Sequence, residues 1–388
     1  MSDARSFHGY LRPDGSAGVR NDLLVLSITG LTGPTARRIG QAIRGAKVVT
    51  MPYGSGLVGE DRAVHTRALA GMGRHPNVGA ALVIGGDGPK VEDIGARIAE
   101  TGKSVETLVL DDCGHDCLTL TDRGLRIAAG LARDISRRRR EELPLSKLFL
   151  AAECGRSDPS SGLVSNPLVG RILDRVVDAG GRAVFGETTE WLGAEHLLSK
   201  RAAEPAVAEA VIAAAHRREQ LAIDGGVDLT GNNPGPTNIA AGLSSIEEKS
   251  LGAIMKGGNR PIRGVLGIAE PPPGPGLYVM DAPAYAPESL TGMVTAGAQM
   301  ALFTTGPGNS FVSALAPTLK ISANPETVAR LQNQIDFDAS AVFRGARTLD
   351  DAAAELFALL LEVASGSATW GEILIEGEEV VSRLGPAL

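Results

Sequence analysis

The chain has 388 residues, enough for a sizeable core and roughly two or three domains. Aromatic residues are only 4% while glycine reaches 49, so the core must be aliphatic and broken by many tight turns, which suits an α/β protein. A formal charge of −7 gives no general attraction to nucleic acid, three cysteines cannot make a disulfide framework, and the apolar runs fall far short of the roughly 20 residues a membrane helix needs. The start, Met1 to Arg5, has no apolar signal stretch, so the expected location is the cytoplasm.

In chain order, the almost continuously apolar Leu23–Ile28 reads as a buried strand and Thr35–Ile43 as the helix after it. Ala80–Ile84 with the helix Asp93–Thr101, then Val105–Leu110 with the helix Asp122–Arg140, repeat the alternation and favour parallel strands. Arg137–Arg140, followed at once by Glu141 and Glu142, reads as a solvated helix end. A second unit opens with the strand Leu148–Ala152, passes through a helix over Leu168–Asp178 and the strand Arg182–Phe185, and ends in the helix Pro205–Ala222. The Gly-, Asn- and Pro-rich segment 224–237 marks a loop or linker. Strands follow at Gly264–Ile268, Leu277–Met280, Gln299–Thr304 and Thr318–Ser322, and the helix Leu349–Ala364 closes the fold. The expected architecture is two or three doubly wound, mostly parallel units, divided at 1–143, 144–230 and 231–388.

Ligands of open α/β sheets bind at the carboxyl ends of the strands, and two motifs leave such ends. Cys154 to Asn166 gathers a thiol, hydroxyls, a carboxylate and a guanidinium, with Ser157, Asp158 and Asn166 as candidates for substrate contact; such a set suits a metal plus a polyol or carboxylate ligand. Glu187 and Glu190, three apart, can converge, and carboxylates plus the imidazole of His196 are what a Mn²⁺- or Fe²⁺-like ion accepts. A solvated helix start at Glu195–His196, with Glu187 as its cap, explains the same residues equally well. In Gly242–Gly252, Ser245 and Glu248 have capping-box spacing, while Lys249 and Lys256, seven apart and so on one helix face, are candidates for a base or a carboxylate clamp, or for plain surface positions.

Weaker signals surround these. Cys113 and Cys117 lack a second ligand pair and read as an inert turn. Thr305 and Gly306, after a strand, form either a carboxylate pocket or an ordinary loop. Arg20 and Asn21 stand before the first buried strand, at the end where ligands rarely bind, which favours a structural role. Only Gly30 and Gly33 fall within Ser27–Gly33, so the dinucleotide fingerprint is missing and no nicotinamide or flavin is expected.

Four stretches, in order, resemble the altronate/galactarate dehydratase family: Gly9-Tyr10 to Arg20-Asn21, Cys154-Gly155 to Ser161-Gly162, Glu187-Thr188 to Glu195-His196, and Gly242-Leu243 to Leu251-Gly252. Pro52-Tyr53-Gly54, Gly59-Glu60-Asp61, Gly274 to Tyr278 and the region 324–365 are more similar to the family's sulfolactate sulfo-lyase branch. The sugar-acid members place cysteines after the second strand and near Gly85-Gly86; here Ser55 and Asp87 stand there, leaving Cys154 as the matching thiol. The resemblance implies a metal-dependent lyase that abstracts a proton beside a carboxylate of a small 2-hydroxy acid and expels water or sulfite. It implies Fe²⁺ or Mn²⁺ near Cys154, Glu187 and His196, and Lys249, Lys256, His196 or Glu190 as catalytic groups, with Arg20 and Asn21 orienting substrate or supporting the site. It also implies a separate small subunit, and a homo-oligomer is expected, while the charge and the short apolar runs leave no nucleic acid and no membrane as partners.

Overall fold

A computed structural model describes residues 6–54, 56–229 and 233–385; Ser55, marked out above, and residues 230–232 of the linker lie outside the described residues. Strands β1 (Ser6–Leu11) and β2 (Ala17–Gly18) form an antiparallel ribbon, whose turn is held by Asp14 Oδ1 accepting from the Ser16 amide and hydroxyl at 2.9 and 2.6 Å. Four parallel strands follow, β3 (Asp22–Ser27), β4 (Ala46–Thr50), β5 (Val78–Gly85) and β6 (Ser104–Val109), in spatial order β4-β3-β5-β6. Successive side chains point to opposite faces, so Leu23 and Val25 pack with Ile39 and Leu120 while Leu24 and Leu26 pack with Ala68 and Ile94. Helices cover both faces, and β3 is therefore apolar throughout rather than alternating.

Strand β7 (Glu141–Pro144) returns antiparallel beside β1. Then come β8 (Phe149–Cys154), β9 (Arg182–Phe185), β10 (Ile262–Leu266), β11 (Gly276–Met280), β12 (Met300–Thr304), β13 (Thr318–Ser322) and β14 (Phe337–Asp338). They make one seven-stranded sheet, β10-β11-β9-β8-β12-β13-β14, with every pair parallel. The sheet takes strands from both sides of residue 230, so the expected boundary there falls inside a single layer. The helices Asn166–Asp178 and Leu349–Ala364 pack on one face, and Ala286–Thr295 on the other.

The helix Gly59–Arg74, not foreseen from the sequence, lies between the two sheets beside Ala286–Thr295. Val64, Ala68, Leu69, Ala70 and Met72 are buried, but so are Asp61 and His65, so the sequence shows little one-sided periodicity. The helices come so close that a Cβ at Gly71 would sit 2.2 Å from the Thr295 carbonyl oxygen. Arg140 departs from the solvated end expected of its run, because the helix stops at Ile135 and the guanidinium donates to the carbonyls of His8 at 2.7 Å and Val19 at 2.9 Å. Among the described residues no helix is long and apolar enough to cross a membrane.

Candidate active site

In the seven-stranded sheet the chain winds outward from β8 in one direction and later from β12 in the other, so the ends of these neighbours flank the switch point where open sheets bind ligands. Cys154 ends β8 and Glu153 precedes it. Glu187, two residues past β9, has a φ of 58°, a left-handed conformation uncommon for a side chain of this kind, and it turns the chain into the short helix Thr188–Trp191. Thr188 anchors that turn to the end of β11, its hydroxyl donating to Asp281 at 2.8 Å and accepting from the Ala282 amide at 3.0 Å. Lys249 comes from the helix Ile246–Ala253, capped by the Ser245 hydroxyl accepting from the Glu248 amide at 3.2 Å, and Lys256 from the turn Ile254–Gly257.

These segments bring six functional side chains together. Lys256 Nζ donates to Glu190 Oε2 at 2.7 Å and to Cys154 Sγ at 3.1 Å, and lies 3.6 Å from Glu153 Oε1. The Cys154 thiol donates to Glu190 Oε2 at 3.1 Å, and Lys249 Nζ sits 3.2 Å from Glu190 Oε1 while donating to Asn233 Oδ1. Burial alone would push the Glu190 carboxyl up, but Lys256 and then Lys249 outweigh it and hold the group well below the usual carboxylate range. Burial, reinforced by the charges of Glu190 and Glu153, drives Glu187 well above that range. Burial likewise pushes Glu153 up to about 7 against the opposing pull of Lys256, and burial with Glu190 raises the Cys154 thiol. For Lys256 burial acts to lower the value, but Cys154 and the three carboxylates raise it well above the ordinary; for Lys249, burial is likewise outweighed by Glu190 and Glu187. The site is a buried carboxylate clamped between two ammonium groups.

Glu153, Cys154, Glu187 and Glu190 each offer one donor atom within 4.8 Å of the others, and they are the only such group among the described residues. Carboxylates with a thiol suit a divalent first-row ion, so the donor set fits the metal that the sequence suggested. Beside it opens a cavity of about 320 Å³ lined by Ser157, Asp158, Asn166, Leu243, Lys249 and Leu251. The Ser157 hydroxyl, buried at this wall, has no partner.

The other expected residues lie at the wall of this cavity or away from it. His196 is exposed on the short helix Glu195–Ser199 and is not in the donor group. Asp158 organises its own loop, Oδ1 accepting from Ser160 Oγ at 2.6 Å and Oδ2 from Asn324 at 2.8 Å. Asn166 joins Gly252 to Thr304, at 2.9 and 2.6 Å. The amides of Thr305 and Gly306 donate to the carbonyls of Ile321 and Arg156 at 3.0 and 3.1 Å, which leaves neither free for an anion. Arg20 forks onto Glu372 at 2.7 and 2.9 Å and also donates to the Val363 and Ser367 carbonyls, while Asn21 accepts from Arg12 at 2.7 Å and donates to the Ile135 carbonyl at 2.8 Å. Sequence reasoning passed over Glu153 and Asn233; the signal for Glu153 was a carboxylate inside the otherwise apolar strand Phe149–Cys154.

Comparison with known proteins bears on this geometry. Residues 9–136 match the second domain of D-galactarate dehydratase/altronate hydrolase, and 145–387 match the C-terminal domain of D-galactarate/altronate dehydratase. The chain belongs to the D-galactarate/altronate dehydratase family. It is 37% identical over 384 residues to the (2R)-sulfolactate sulfo-lyase subunit beta of Chromohalobacter salexigens, covering 98% of each chain. It is 31% identical over 380 residues to the altronate dehydratase of Escherichia coli, covering 94% of this chain and 74% of that one. The galactarate dehydratase (L-threo-forming) of E. coli is 28% identical over 398 residues, with 94% and 75% covered. These relatives are lyases, so the family fits a dehydratase or a sulfo-lyase, and the name "subunit beta" implies a separate partner for the first of them.

Proposed function

We propose that the chain is the large subunit of a cytoplasmic lyase that carries out β-elimination on a small 2-hydroxy acid to give a 2-keto acid, with sulfite as the leaving group and 3-sulfolactate as the substrate type. The observation that carries the elimination chemistry is Glu190 fixed between Lys249 and Lys256 beside Cys154, at the carboxyl ends of β8 and β9. The correspondence over 98% of both chains with a sulfo-lyase subunit favours sulfite over water, since only about three-quarters of each dehydratase is spanned. That correspondence also supports a separate small subunit as partner. Homo-oligomer formation belongs to the same reading.

The reaction removes a proton from the carbon next to a carboxylate and must hold the resulting dianion until the leaving group departs. Lys249, at the cavity wall and 13% exposed, is placed to neutralise the substrate carboxylate, and the Ser157 hydroxyl to hydrogen-bond it. An ammonium has no lone pair, so neither lysine is a base while it is paired with Glu190. The proton acceptor in this reading is Glu153, whose carboxylate joins the cluster beside Cys154 and Lys256. Cys154, Glu187 and Glu190 would hold a divalent ion, Fe²⁺ or Mn²⁺, which when bound supplies Lewis-acid stabilisation to the substrate's carboxylate and hydroxyl oxygens.

The test is product analysis with the purified two-subunit protein, chelated and reloaded with Fe²⁺ or Mn²⁺. Pyruvate and sulfite from (2R)-3-sulfolactate, lost in Glu153→Gln, are expected. A keto acid from altronate or galactarate without sulfite release would replace the leaving group, and no elimination from any of the three would overturn the reading.

A further inference from the structure

Lys256 is among the most completely buried large side chains of the protein, at 1% exposure. Its ammonium is not beside the donor group but within it, touching Cys154 Sγ at 3.1 Å and Glu190 Oε2 at 2.7 Å, with Glu153 Oε1 at 3.6 Å. Two of the three side chains assigned above to a divalent ion therefore already surround a monovalent cation, at distances ordinary for an ammonium hydrogen bond. An ion bonded to the same two atoms would sit about 2.0–2.3 Å from each, as in zinc sites, which leaves no room for Nζ at its present place. Two like charges so close in a buried, weakly screening setting also repel strongly.

We propose that Lys256 is a built-in competitor for the divalent ion: its ammonium fills the ion's place between Cys154 and Glu190, and must withdraw before the ion binds. The proposal rests on the metal reading above and adds to it the device that sets the site's affinity. The exchange balances simply. The ion takes the Glu190 and Cys154 donor atoms, the thiol proton leaves to solvent, and the ammonium keeps its protons and moves. Glu153 Oε1 is the counter-charge toward which Nζ can shift, and the flexible four-carbon lysine stem permits such a move. Without the ion, Lys256 together with Lys249 keeps three packed carboxylates and a thiol from facing one another uncompensated. The same contact makes the ion's binding weaker than the donor set alone would give.

The experiment is a Co²⁺ titration of the metal-stripped protein, followed by thiolate-to-cobalt charge-transfer absorption, in wild type, Lys256→Met and Cys154→Ser. Lys256→Met is expected to bind Co²⁺ at least about tenfold more tightly than wild type, with the absorption present in both and absent in Cys154→Ser. Equal or weaker binding by Lys256→Met, with the thiolate absorption intact, overturns the competition while leaving the metal reading standing. Absence of thiolate absorption in wild type and Lys256→Met alike overturns both. Because removing one partner of a buried pair can prevent folding, the comparison is repeated between Glu190→Gln and Glu190→Gln/Lys256→Met, the second of which loses both partners. The same gain of about tenfold is expected there, and its absence overturns the proposal.

Discussion

Replacing Arg20 by methionine tests whether the N-terminal motif touches substrate or holds the molecule together. The guanidinium makes two hydrogen bonds to Glu372, at 2.7 and 2.9 Å, and two more to the carbonyls of Val363 and Ser367 at 2.9 and 2.7 Å, so it ties the start of β3 to the C-terminal segment. The two side chains are only 12% and 19% exposed, between the surface case, worth under about 1 kcal/mol, and the fully buried case, where breaking a pair costs about 3–5 kcal/mol. Methionine keeps the aliphatic stem, so the expected loss is that of the charged contacts, roughly 2–4 kcal/mol in a urea unfolding curve. None of these three partners belongs to the Cys154 cluster, so KM is expected to stay within about twofold of wild type in the same preparation. A tenfold or greater rise in KM with an unchanged unfolding midpoint would refute the structural assignment and return Arg20 to the substrate.

Three further outcomes follow from particular side chains. His196→Ala should keep turnover within about twofold of wild type, because the ring is exposed and outside the donor group; abolished turnover in a folded variant would put it back in the mechanism. Lys249→Met should raise KM by roughly 10- to 100-fold, the worth of one hydrogen bond to a charged carboxylate, and an unchanged KM would remove Lys249 as the clamp. Burial raises Glu379 from 4.5 to about 7, so between those values the folded chain keeps a proton that the unfolded chain has lost, and stability should fall as pH rises through that window. At about 1.4 kcal/mol per unit the ceiling is roughly 3 kcal/mol, and Glu379→Gln should flatten that part of the pH profile in urea melts near pH 5 and pH 8; an identical slope in both proteins would contradict it.

What could be read in the sequence was whatever depends on local pattern. Arg182–Phe185, Thr318–Ser322 and Leu349–Ala364 have the bounds expected of them, because a short apolar run before Gly186, the alternation of Leu319 and Ile321 with polar neighbours, and one helical stripe need no long-range partner to be recognised. Gly59–Arg74 was illegible because Asp61 and His65 lie on its buried side, so polar and apolar residues do not separate into two faces. The segment 224–237 looked like a domain boundary by composition, yet strands on either side of it share one sheet, and Lys249 and Lys256, which come after it, meet Glu190 beyond the end of β9. Those two lysines were legible as a pair through their spacing, and Glu187 with Glu190 through theirs. His196 was drawn in because it follows those carboxylates in the chain, but after the short turn at Thr188–Trp191 the helix Glu195–Ser199 leaves its ring exposed. Glu153 was left out because it reads as strand, and only the folded chain brings this buried carboxylate within reach of Cys154, Glu187 and Glu190. The chemistry of the site is thus set by pairs that are close in sequence, and its geometry by contacts such as Lys256 to Cys154, which are 102 residues apart and exist only once the seven strands have closed.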